Sequence, residues 1–543
     1  MLGLPEIDEK IYKKLSHHDL AQCARVCKKW HRRAIPYLWH QLDIPFLNHG
    51  VFHKMILEDY LYEQLHPRSE GENFKQAVEP HIQERPSPLP LAKYGHWIRQ
   101  LPQPCGLLNY FESPFNCFIR SQEAPTGQVK EPTASQLLRH IYKRCPNLQV
   151  YFLYVTEYYP FEDISKTIAE FLLPTVRILS MYISDPWYLK YLLDHCTDTL
   201  AELSLWVDIP HDAAWNDKED QQLQDESRTL GSLKKLILEK AYDDSVSKSF
   251  WPWLYKRCRY VERLEVLHVQ DIQSLADSML TYMPNLSEIR FGDQDYNLND
   301  KDISMLLSGS RQGWKVVEFE QTMMLILWKV AQEALTKHFP TLEKLILDDH
   351  HDYRGYDFTP ILLSSPNLYS LTVFAIDHLS LCSPKTWPYA TTLRVLKIKI
   401  VNIPRPDLKD YEIVQETYSG EGRQIQLQVY DRLARLTNLE TLWLGNPNRR
   451  NQKDCLEMSL ESGMHKLAGL KSLKELQVTG MKTRIGLEEV QWMTENWPKI
   501  RTIMFDDGND APDKLEAVAW LHEHHPQIKL DASALVMLKE SRK

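Results

Sequence analysis

The stretch Leu327–Asp349, LWKVAQEALTKHFPTLEKLILDD, contains a helical pattern, a proline and a strand pattern in direct succession. Apolar residues up to Phe339 recur at the spacing of a helix. Pro340 disfavours the helical conformation at the residue before it and so ends the helix. From Leu342 onward the pattern L-x-x-L-x-L predicts a short strand, whose alternate side chains point to opposite faces. The stretch therefore predicts a unit of one helix, a proline stop and one strand.

This strand pattern recurs along most of the 543-residue chain, with other apolar residues in place of some leucines. The first position of each copy falls at Leu148, Val176, Leu200, Leu233, Val261, Leu286, Trp314, Leu342, Leu368, Leu393, Leu439, Leu473 and Ile500, and a weaker copy begins at Ile528. Most spacings lie near the roughly 20–29 residues of a leucine-rich repeat. Because one strand and one helix cannot bury their apolar faces alone, neighbouring units must stack.

The expected fold class is therefore α/β. We predict a leucine-rich-repeat solenoid shaped as a horseshoe, with a concave parallel sheet and outer helices. A chance abundance of leucine and an ordinary doubly wound sheet are the alternatives. Thirteen copies in one register disfavour chance, and the chain has no glycine-rich phosphate loop of the kind that marks a doubly wound sheet.

The segment before the repeats, Leu4–Ile44, has a different pattern and reads LPEIDEKIYKKLSHHDLAQCARVCKKWHRRAIPYLWHQLDI. Apolar residues recur there at helical spacing in blocks, and a polar break separates the first block from the second. Either Ser16 or Asp19 in this break can cap the second helix. A segment this short buries little area by itself, so we expect much of its apolar stripe to contact the repeats or another chain.

The elements Leu4-Pro5-Glu6-Ile7, Val26-Cys27-Lys28-x-Trp30 and Leu38-Trp39-x-x-Leu42, in this order, resemble a small all-α F-box. Together with the repeats, the chain resembles an F-box/leucine-rich-repeat protein of the fungal-type F-box family. That resemblance implies a substrate-recognition subunit of an SCF-type ubiquitin ligase. The F-box would bind the ligase adaptor subunit and, through it, a cullin–RING module, while the repeats would bind a target protein that the sequence does not identify.

The same resemblance assigns adaptor contacts to the apolar residues of the segment, which are Leu4, Pro5, Ile7, Ile11, Leu15, Leu20, Val26, Cys27, Trp30, Leu38 and Trp39. This role requires Pro5, Ile7, Leu15 and Leu20 to be exposed in the isolated chain. The alternative is a non-catalytic repeat scaffold, in which the helices only cap the solenoid or bind the adaptor outside a ligase.

Three regions follow from these patterns. Residues 1–45 form the F-box helical motif, residues 46–95 form a helical extension and a proline-rich linker, and residues 96–543 form the repeat domain. A polar stretch with prolines and glycines at about 402–426 is predicted to be an insertion, after which the next helix runs over Gln426–Leu436.

Target binding is expected on the open face of the sheet, because extended repeat surfaces recognise partners. The aromatic and acidic residues at face positions are Tyr154, Tyr182, Trp206, Glu318, Glu320, Asp348, Phe374, Trp443 and Asp506, and Lys397 and Lys399 interrupt them. Exposed aromatic side chains are typical interface anchors. These residues suggest an aromatic, partly acidic surface for a basic segment. Alternatively, long side chains or the C-terminal tail cover the aromatics.

No catalytic motif is present, so we expect neither catalytic residues nor a cofactor. The cluster Asp348-Asp349-His350-His351-Asp352 contains metal-ligating residue types, but adjacent side chains diverge, and a polar loop without metal is the simpler interpretation. The net charge of −9 gives no sign of nucleic-acid binding. No apolar run approaches the roughly 18 residues of a membrane span. The start of the sequence is unlike a signal peptide and the nine cysteines form no C-x-x-C pair, so the expected location is cytoplasmic and/or nuclear.

Overall fold

The computed structural model describes the chain in segments that belong to two compact units, residues 1–261 and 262–543. The described residues are 11–40, 59, 95–99, 134–154, 166–167, 170, 175–183, 186–196, 198–207, 229–241, 250–267, 272–292, 300–320, 329–348, 357–382, 385, 387–403, 420–445, 456–479, 482–505 and 512–530.

The first unit contains helices and parallel strands. Its described strands are β1 (Val150–Tyr154), β2 (Ile178–Ile183), β3 (Glu202–Val207) and β4 (Lys235–Ala241), and each pairs in parallel with the next. Its described helices are α1 (His17–Val26), α2 (Lys28–His40), α3 (Ala134–Arg144), α4 (Pro186–His195) and α5 (Phe250–Arg257), and a 3-10 turn spans Gly95–Trp97. Strands that follow one another in the chain are neighbours in the sheet, as stacked repeats require.

The second unit continues the same alternation. Its main sheet contains the parallel strands β5 (Arg263–Val266), β6 (Glu288–Phe291), β7 (Val316–Glu320), β8 (Lys344–Asp348), β9 (Ser370–Asp377), β10 (Val395–Val401), β11 (Thr441–Leu444), β13 (Glu475–Val478), β15 (Thr502–Phe505) and β16 (Lys529–Leu530), paired in this order. Two shorter strands, β12 (Glu457–Met458) and β14 (Lys482–Thr483), form a separate parallel pair that the repeat pattern did not predict.

The helices of the second unit come between these strands in the order of the chain. They are α6 (Ile272–Tyr282), α7 (Asp300–Leu307), α8 (Lys329–Thr336), α9 (Thr359–Ser364), α10 (His378–Leu381), α11 (Gly420–Leu433), α12 (Leu487–Asn496) and α13 (Pro512–His524), with a 3-10 helix at Met464–Gly469. Helix α11 begins at Gly420, six residues before the predicted start at Gln426. The first residues of this helix thus overlap the stretch at about 402–426 that was predicted to be an insertion. Gly422 and Gln426 are buried in the helix.

The predicted first positions of the repeats are all buried, from Leu148 to Ile528. In each of the thirteen copies from Leu148 to Ile500 the strand starts two residues later, as Leu342 and the start of β8 at Lys344 illustrate. The copy at Ile528 also forms a strand, β16, which pairs with β15. Burial of the anchors and parallel pairing in chain order confirm the predicted α/β leucine-rich-repeat fold.

Threonine hydroxyls join successive repeats. Thr175, Thr199 and Thr341 each directly precede the first apolar anchor of their own copy. Each hydroxyl donates to the carbonyl oxygen of the anchor one copy earlier, at 2.9 Å to Leu148, 3.0 Å to Val176 and 2.9 Å to Trp314. Backbone carbonyls at the turn before a strand are thereby satisfied, as buried or half-buried polar groups require.

Trp314 occupies an anchor position that usually holds leucine, and its polar indole needs a partner. The indole N–H donates to the carbonyl oxygen of Leu307 at 2.7 Å. His338 Nδ1 accepts the backbone N–H of Trp314 at 3.3 Å, and its Nε2 lies 2.8 Å from the same Leu307 oxygen. The ring is therefore neutral with the proton on Nε2, and its burial lowers the pKa of His338.

Asp59 is a described residue within the predicted extension at 46–95, and it is helical and fully buried. One of its carboxylate oxygens accepts from Arg144 Nε and contacts His140 Nε2, both at 2.7 Å. These contacts connect Asp59 to α3, the helix before the first repeat strand. The predicted divisions near residues 45 and 95 remain predictions.

Candidate interaction surfaces

Helix α1 starts at a side-chain cap. Ser16 has an extended backbone, and its hydroxyl accepts the backbone N–H of Asp19 at 3.2 Å. The same hydroxyl donates to the Asp19 carboxylate at 2.6 Å. Of the two capping candidates in the sequence, Ser16 is thus the N-cap, while Asp19 places a negative charge in the first turn, where the helix dipole favours it.

Residues 11–40, which include α1 and α2 and which we call the helical pair, have their own small core of Tyr12, Leu20 and Ala34. Leu20 is 3% exposed, so the prediction that it is exposed for partner binding is wrong. A short amphipathic helix must bury part of its apolar stripe against its neighbour in order to fold. The rings of Tyr12 and Tyr37 stack beside Leu20 with centroids 5.6 Å apart.

Other predicted adaptor contacts remain on the surface of the pair. Val26 is 64% exposed and Ile11 is 42% exposed. Cys27 is exposed, and Leu15, Trp30 and Leu38 are half-buried. The positions that lie outside the described residues are Leu4, Pro5 and Ile7, together with the side chain of Trp39. Helix α2 contacts the 3-10 turn Gly95–Trp97. Despite this contact, the helical pair keeps exposed apolar side chains at Ile11 and Val26.

The junction between α1 and α2 forms an open cavity of about 400 Å³. Its lining is Ala24, Arg25, Cys27, Lys28, His31 and Arg32. His31 Nδ1 lies 3.2 Å from the carbonyl oxygen of Ala24, which links the end of α1 to α2. The polar lining of this cavity is predominantly basic.

In the first unit, the sheet face carries an aromatic pair. Tyr182 on β2 and Trp206 on β3 are opposite each other in the strand register. Their ring centroids lie 6.0 Å apart, and Trp206 is 40% exposed. Tyr154 is opposite Tyr182 in the backbone register of β1, although its side chain lies outside the described residues. The structure thus brings two of the sequence-derived face residues together.

In the second unit, charged side chains run across β5 to β8 as a ladder of ion pairs. Arg263 lies 2.6 Å from Glu265 and 3.6 Å from Glu288. Arg290 lies 3.8 Å from Glu265 and 3.7 Å from Glu318, and Lys344 lies 2.6 Å from Glu318. We call these six residues the charge ladder. Three acids and three bases balance, so Glu318 does not present free negative charge on this face.

The charge ladder was missed in the sequence, although its signal is present there. Four residues after the first anchor of three successive copies stand Glu265, Arg290 and Glu318. These positions are adjacent in the strand register. Opposite charges that face each other across strands stabilise the pairing. Alignment of the copies on their anchors would have revealed the alternation.

Trp443 on β11 is covered on one side by a cation. The Lys397 ammonium group lies 3.4 Å from the centroid of an indole ring, in the geometry of a cation–π interaction. The indole N–H donates to the Glu475 carboxylate at 3.1 Å. Lys397, which interrupts the aromatic positions in the sequence, therefore contacts one of them directly.

The remaining predicted face residues have no described side chains. Glu320 and Asp348 are opposite each other in the backbone register of β7 and β8. The side chain of Phe374 lies outside the described residues, as does the whole of Asp506. The candidate metal cluster after Asp348 also lies outside them, and among the described residues no three His, Cys, Asp or Glu side chains converge to hold a metal ion.

Two buried thiols of the first unit are chemically inert. Burial raises the pKa of Cys145 to about 12, with a further contribution from Asp59. Burial likewise raises the pKa of Cys258 to about 12. Thiolates are the reactive form of cysteine, so these two residues act as small apolar side chains.

Residues 5–45 match the family model described as F-box-like. No curated protein matches the sequence. Similar solved structures include a chain in the crystal structure of the Rad7 and Elc1 complex in yeast, at 12% identity and a TM-score of 0.35, covering 78% of this chain and 92% of that chain. Another is the leucine-rich repeat-containing protein LegL7 from Legionella pneumophila, at 10% identity and a TM-score of 0.30, covering 69% of this chain and 96% of that chain. With such scores, the repeat fold rests on the chain's own strand pairing. Within the described part of the chain, no helix has the length and apolar character needed to cross a membrane.

Proposed function

We propose that the chain is a substrate-recognition subunit of an SCF-type ubiquitin ligase. The observation that carries this proposal is the F-box-like match at residues 5–45, on helices that keep Val26 and Ile11 exposed. An adaptor-binding segment that precedes a repeat domain in the sequence suits a protein that binds a ligase and a target at the same time. Holding two proteins together raises their effective concentration without any new chemistry.

The adaptor contacts proposed for the first helices are the apolar residues that the fold leaves uncovered. Val26 is at the end of α1, and Ile11 precedes that helix. An exposed aliphatic side chain gains about 25 cal/mol per Å² when a partner buries it. Leu20 is excluded from this set, since it stabilises the helical pair from inside.

Target recognition is proposed for the sheet faces, with Tyr182 and Trp206 as the anchor in the first unit. Aromatic side chains that are rigid and partly exposed dominate the binding energy of many interfaces. In the second unit, the balanced charge ladder disfavours a purely basic target. The expected target segment there carries both charge signs or is mainly apolar.

No residue is assigned a catalytic role. The chain positions the target, and transfer of ubiquitin depends on other subunits. Orientation of two reactants is itself a large contribution to rate, so a positioning subunit needs two binding surfaces and no nucleophile. The cytoplasm and/or nucleus, where ubiquitin ligases of this type operate, is the proposed location.

Affinity purification from cells with the proteasome blocked tests the proposed adaptor-binding and target-binding surfaces in one experiment. The full chain should recover the adaptor, a cullin and one or more targets. Val26→Glu should lose adaptor and cullin but keep targets, and Trp206→Ala should do the reverse. Leu379→Glu is the matched control, because Leu379 is an apolar side chain 70% exposed in the second unit. Recovery of adaptor without cullin would support a scaffold outside a ligase, and recovery of neither would support a role as a cap.

A further inference from the structure

The helical pair has a charge opposite to that of the remaining chain. Residues 11–40 contain seven lysines and arginines and one acidic residue, Asp19, for a net charge of +6. Since the whole chain carries −9, the remaining residues carry −15. The segment that also exposes Val26 is thus net positive in a chain that is net negative.

Four of these cations form a patch around the α1–α2 junction: Arg25, Lys28, Lys29 and Arg32. All four are exposed, and no ion pair among the described residues involves them. Three of them, Arg25, Lys28 and Arg32, line the cavity of about 400 Å³ at the junction. We call these four residues the basic patch.

The basic patch is unfavourable for the helix that carries most of it. Lys28 and Lys29 lie in the first turn of α2, which contains no acidic residue. The N-terminus of a helix carries partial positive charge, and cations there destabilise it. Local rules of this kind are broken mainly where function requires it. An anionic group from outside the helical pair would relieve the repulsion.

We propose that the basic patch is a docking surface for an acidic segment of the adaptor subunit, placed beside the apolar contact at Val26. This inference rests on the proposed function and adds the charge of the partner to it. Complementary charge speeds the encounter of two proteins more than it slows their separation. The patch accordingly steers the adaptor to the helical pair, and Val26 contributes to holding it there.

An extended polyanion such as nucleic acid suits this chain less well. A duplex contacts a protein over many phosphates, whereas the positive charge here covers a single helical pair. The remaining −15 would repel the parts of the polyanion beyond the patch. A compact acidic protein segment can contact the patch alone.

The discriminating variant is Lys28→Glu. An acidic residue in the first turn stabilises a helix, so this change should leave thermal stability equal or slightly raised. If the patch docks an acidic segment, the same change should slow association with the adaptor. A second variant, Arg25→Gln/Lys28→Gln/Arg32→Gln, removes three charges. Its matched control is Arg311→Gln/Lys337→Gln/Arg435→Gln, three exposed cations of the second unit.

The experiment measures association and dissociation rates between the purified full chain and the adaptor from the same organism, at salt concentrations from 50 to 500 mM. We expect wild type and control to associate at least tenfold more slowly at high salt. Both patch variants should associate about tenfold more slowly than wild type at 50 mM and depend little on salt, with dissociation changed less.

Equal rates and salt dependence in wild type and patch variants would overturn this inference and leave the proposed function intact. No binding of the adaptor to wild type would overturn both. Binding of a 20-base-pair DNA or RNA duplex at 150 mM salt, lost in the patch variants, would overturn the inference in favour of nucleic-acid recognition.

Discussion

The carboxylate of Glu318 and the ammonium group of Lys344 lie 2.6 Å apart on the neighbouring strands β7 and β8. The Glu318 side chain is 5% exposed and that of Lys344 is 29% exposed. The second carboxylate oxygen of Glu318 lies 3.7 Å from Arg290 Nε. A carboxylate this deep on the face of a sheet depends on its cationic neighbours, because burial of an unpaired charge is costly.

Replacement of Lys344 should therefore lower stability. Lys344→Met removes the closer of the two cations and leaves the Glu318 side chain with Arg290 alone. We expect a loss of about 1–3 kcal/mol in the free energy of unfolding, measured by urea denaturation. The matched control is Lys315→Met, whose pair with Glu343 is 3.8 Å long and exposed on both sides, and which should cost at most about 0.5 kcal/mol. Equal losses in the two variants would contradict the importance given to the charge ladder.

Stability should also depend on His338 as the pH falls. Burial lowers the pKa of this ring in the folded state below its usual value of 6.5. The unfolded chain then binds a proton that the folded chain does not, so the contribution of His338 is complete above pH 6.5 and is lost as the pH falls through the folded pKa. For one proton the slope cannot exceed about 1.4 kcal/mol per pH unit.

The variant His338→Gln checks this sign. Glutamine can accept from the Trp314 N–H or donate to the Leu307 carbonyl, and it does not titrate. The stability advantage of wild type over His338→Gln should shrink between pH 7 and pH 5 in thermal unfolding experiments. An advantage that stays constant or grows over that range would show that the ring is not held neutral.

The two sides of strand β3 should respond differently to truncation. Leu205 is fully buried, whereas its neighbour Trp206 is 40% exposed on the sheet face. Leu205→Ala should cost about 2–5 kcal/mol in the free energy of unfolding. Trp206→Ala should cost less than about 1 kcal/mol while target capture is lost. A Trp206 variant as unstable as the Leu205 variant would mean that the indole belongs to the core.

Cysteine labelling should separate surface thiols from core thiols. Cys27 is exposed, whereas Cys145 and Cys258 are buried with pKa values raised to about 12. At pH 8 a maleimide should modify Cys27 in the native protein within minutes, with sites identified by peptide mass spectrometry. Cys145 and Cys258 should be modified only after denaturation. Native labelling of Cys145 would contradict the burial of this side chain directly after α3.

The sequence was sufficient for the repeat fold because its signal is local. Each copy carries its own anchors, such as Leu342, Leu345 and Leu347, and its own proline stop. Stacking follows from the fact that one unit cannot bury its apolar face alone. Helix α11 starts before the predicted residue Gln426, in a polar stretch whose hydrophobic pattern does not indicate a helix, although Gly422 and Gln426 are buried there.

The interaction surfaces were less accessible to sequence reasoning because they depend on contacts between copies. Leu20 looks the same in the sequence whether its partner is Tyr12 or another protein. In the sequence Glu318 looks like an exposed acid, but strands that start 28 residues before and 28 residues after its own strand place Arg290 and Lys344 beside it. Pairing across strands is a property of the register, which a single copy of the repeat does not contain.

The most direct test of the proposed role is calorimetric titration of the purified full chain with the purified adaptor subunit. We expect a one-to-one complex that Val26→Glu weakens at least tenfold, or about 1.4 kcal/mol, and that Leu379→Glu leaves unchanged. Absence of binding by the wild-type chain, or equal affinity of wild type and Val26→Glu, would contradict the claim that these first helices dock the chain onto a ligase.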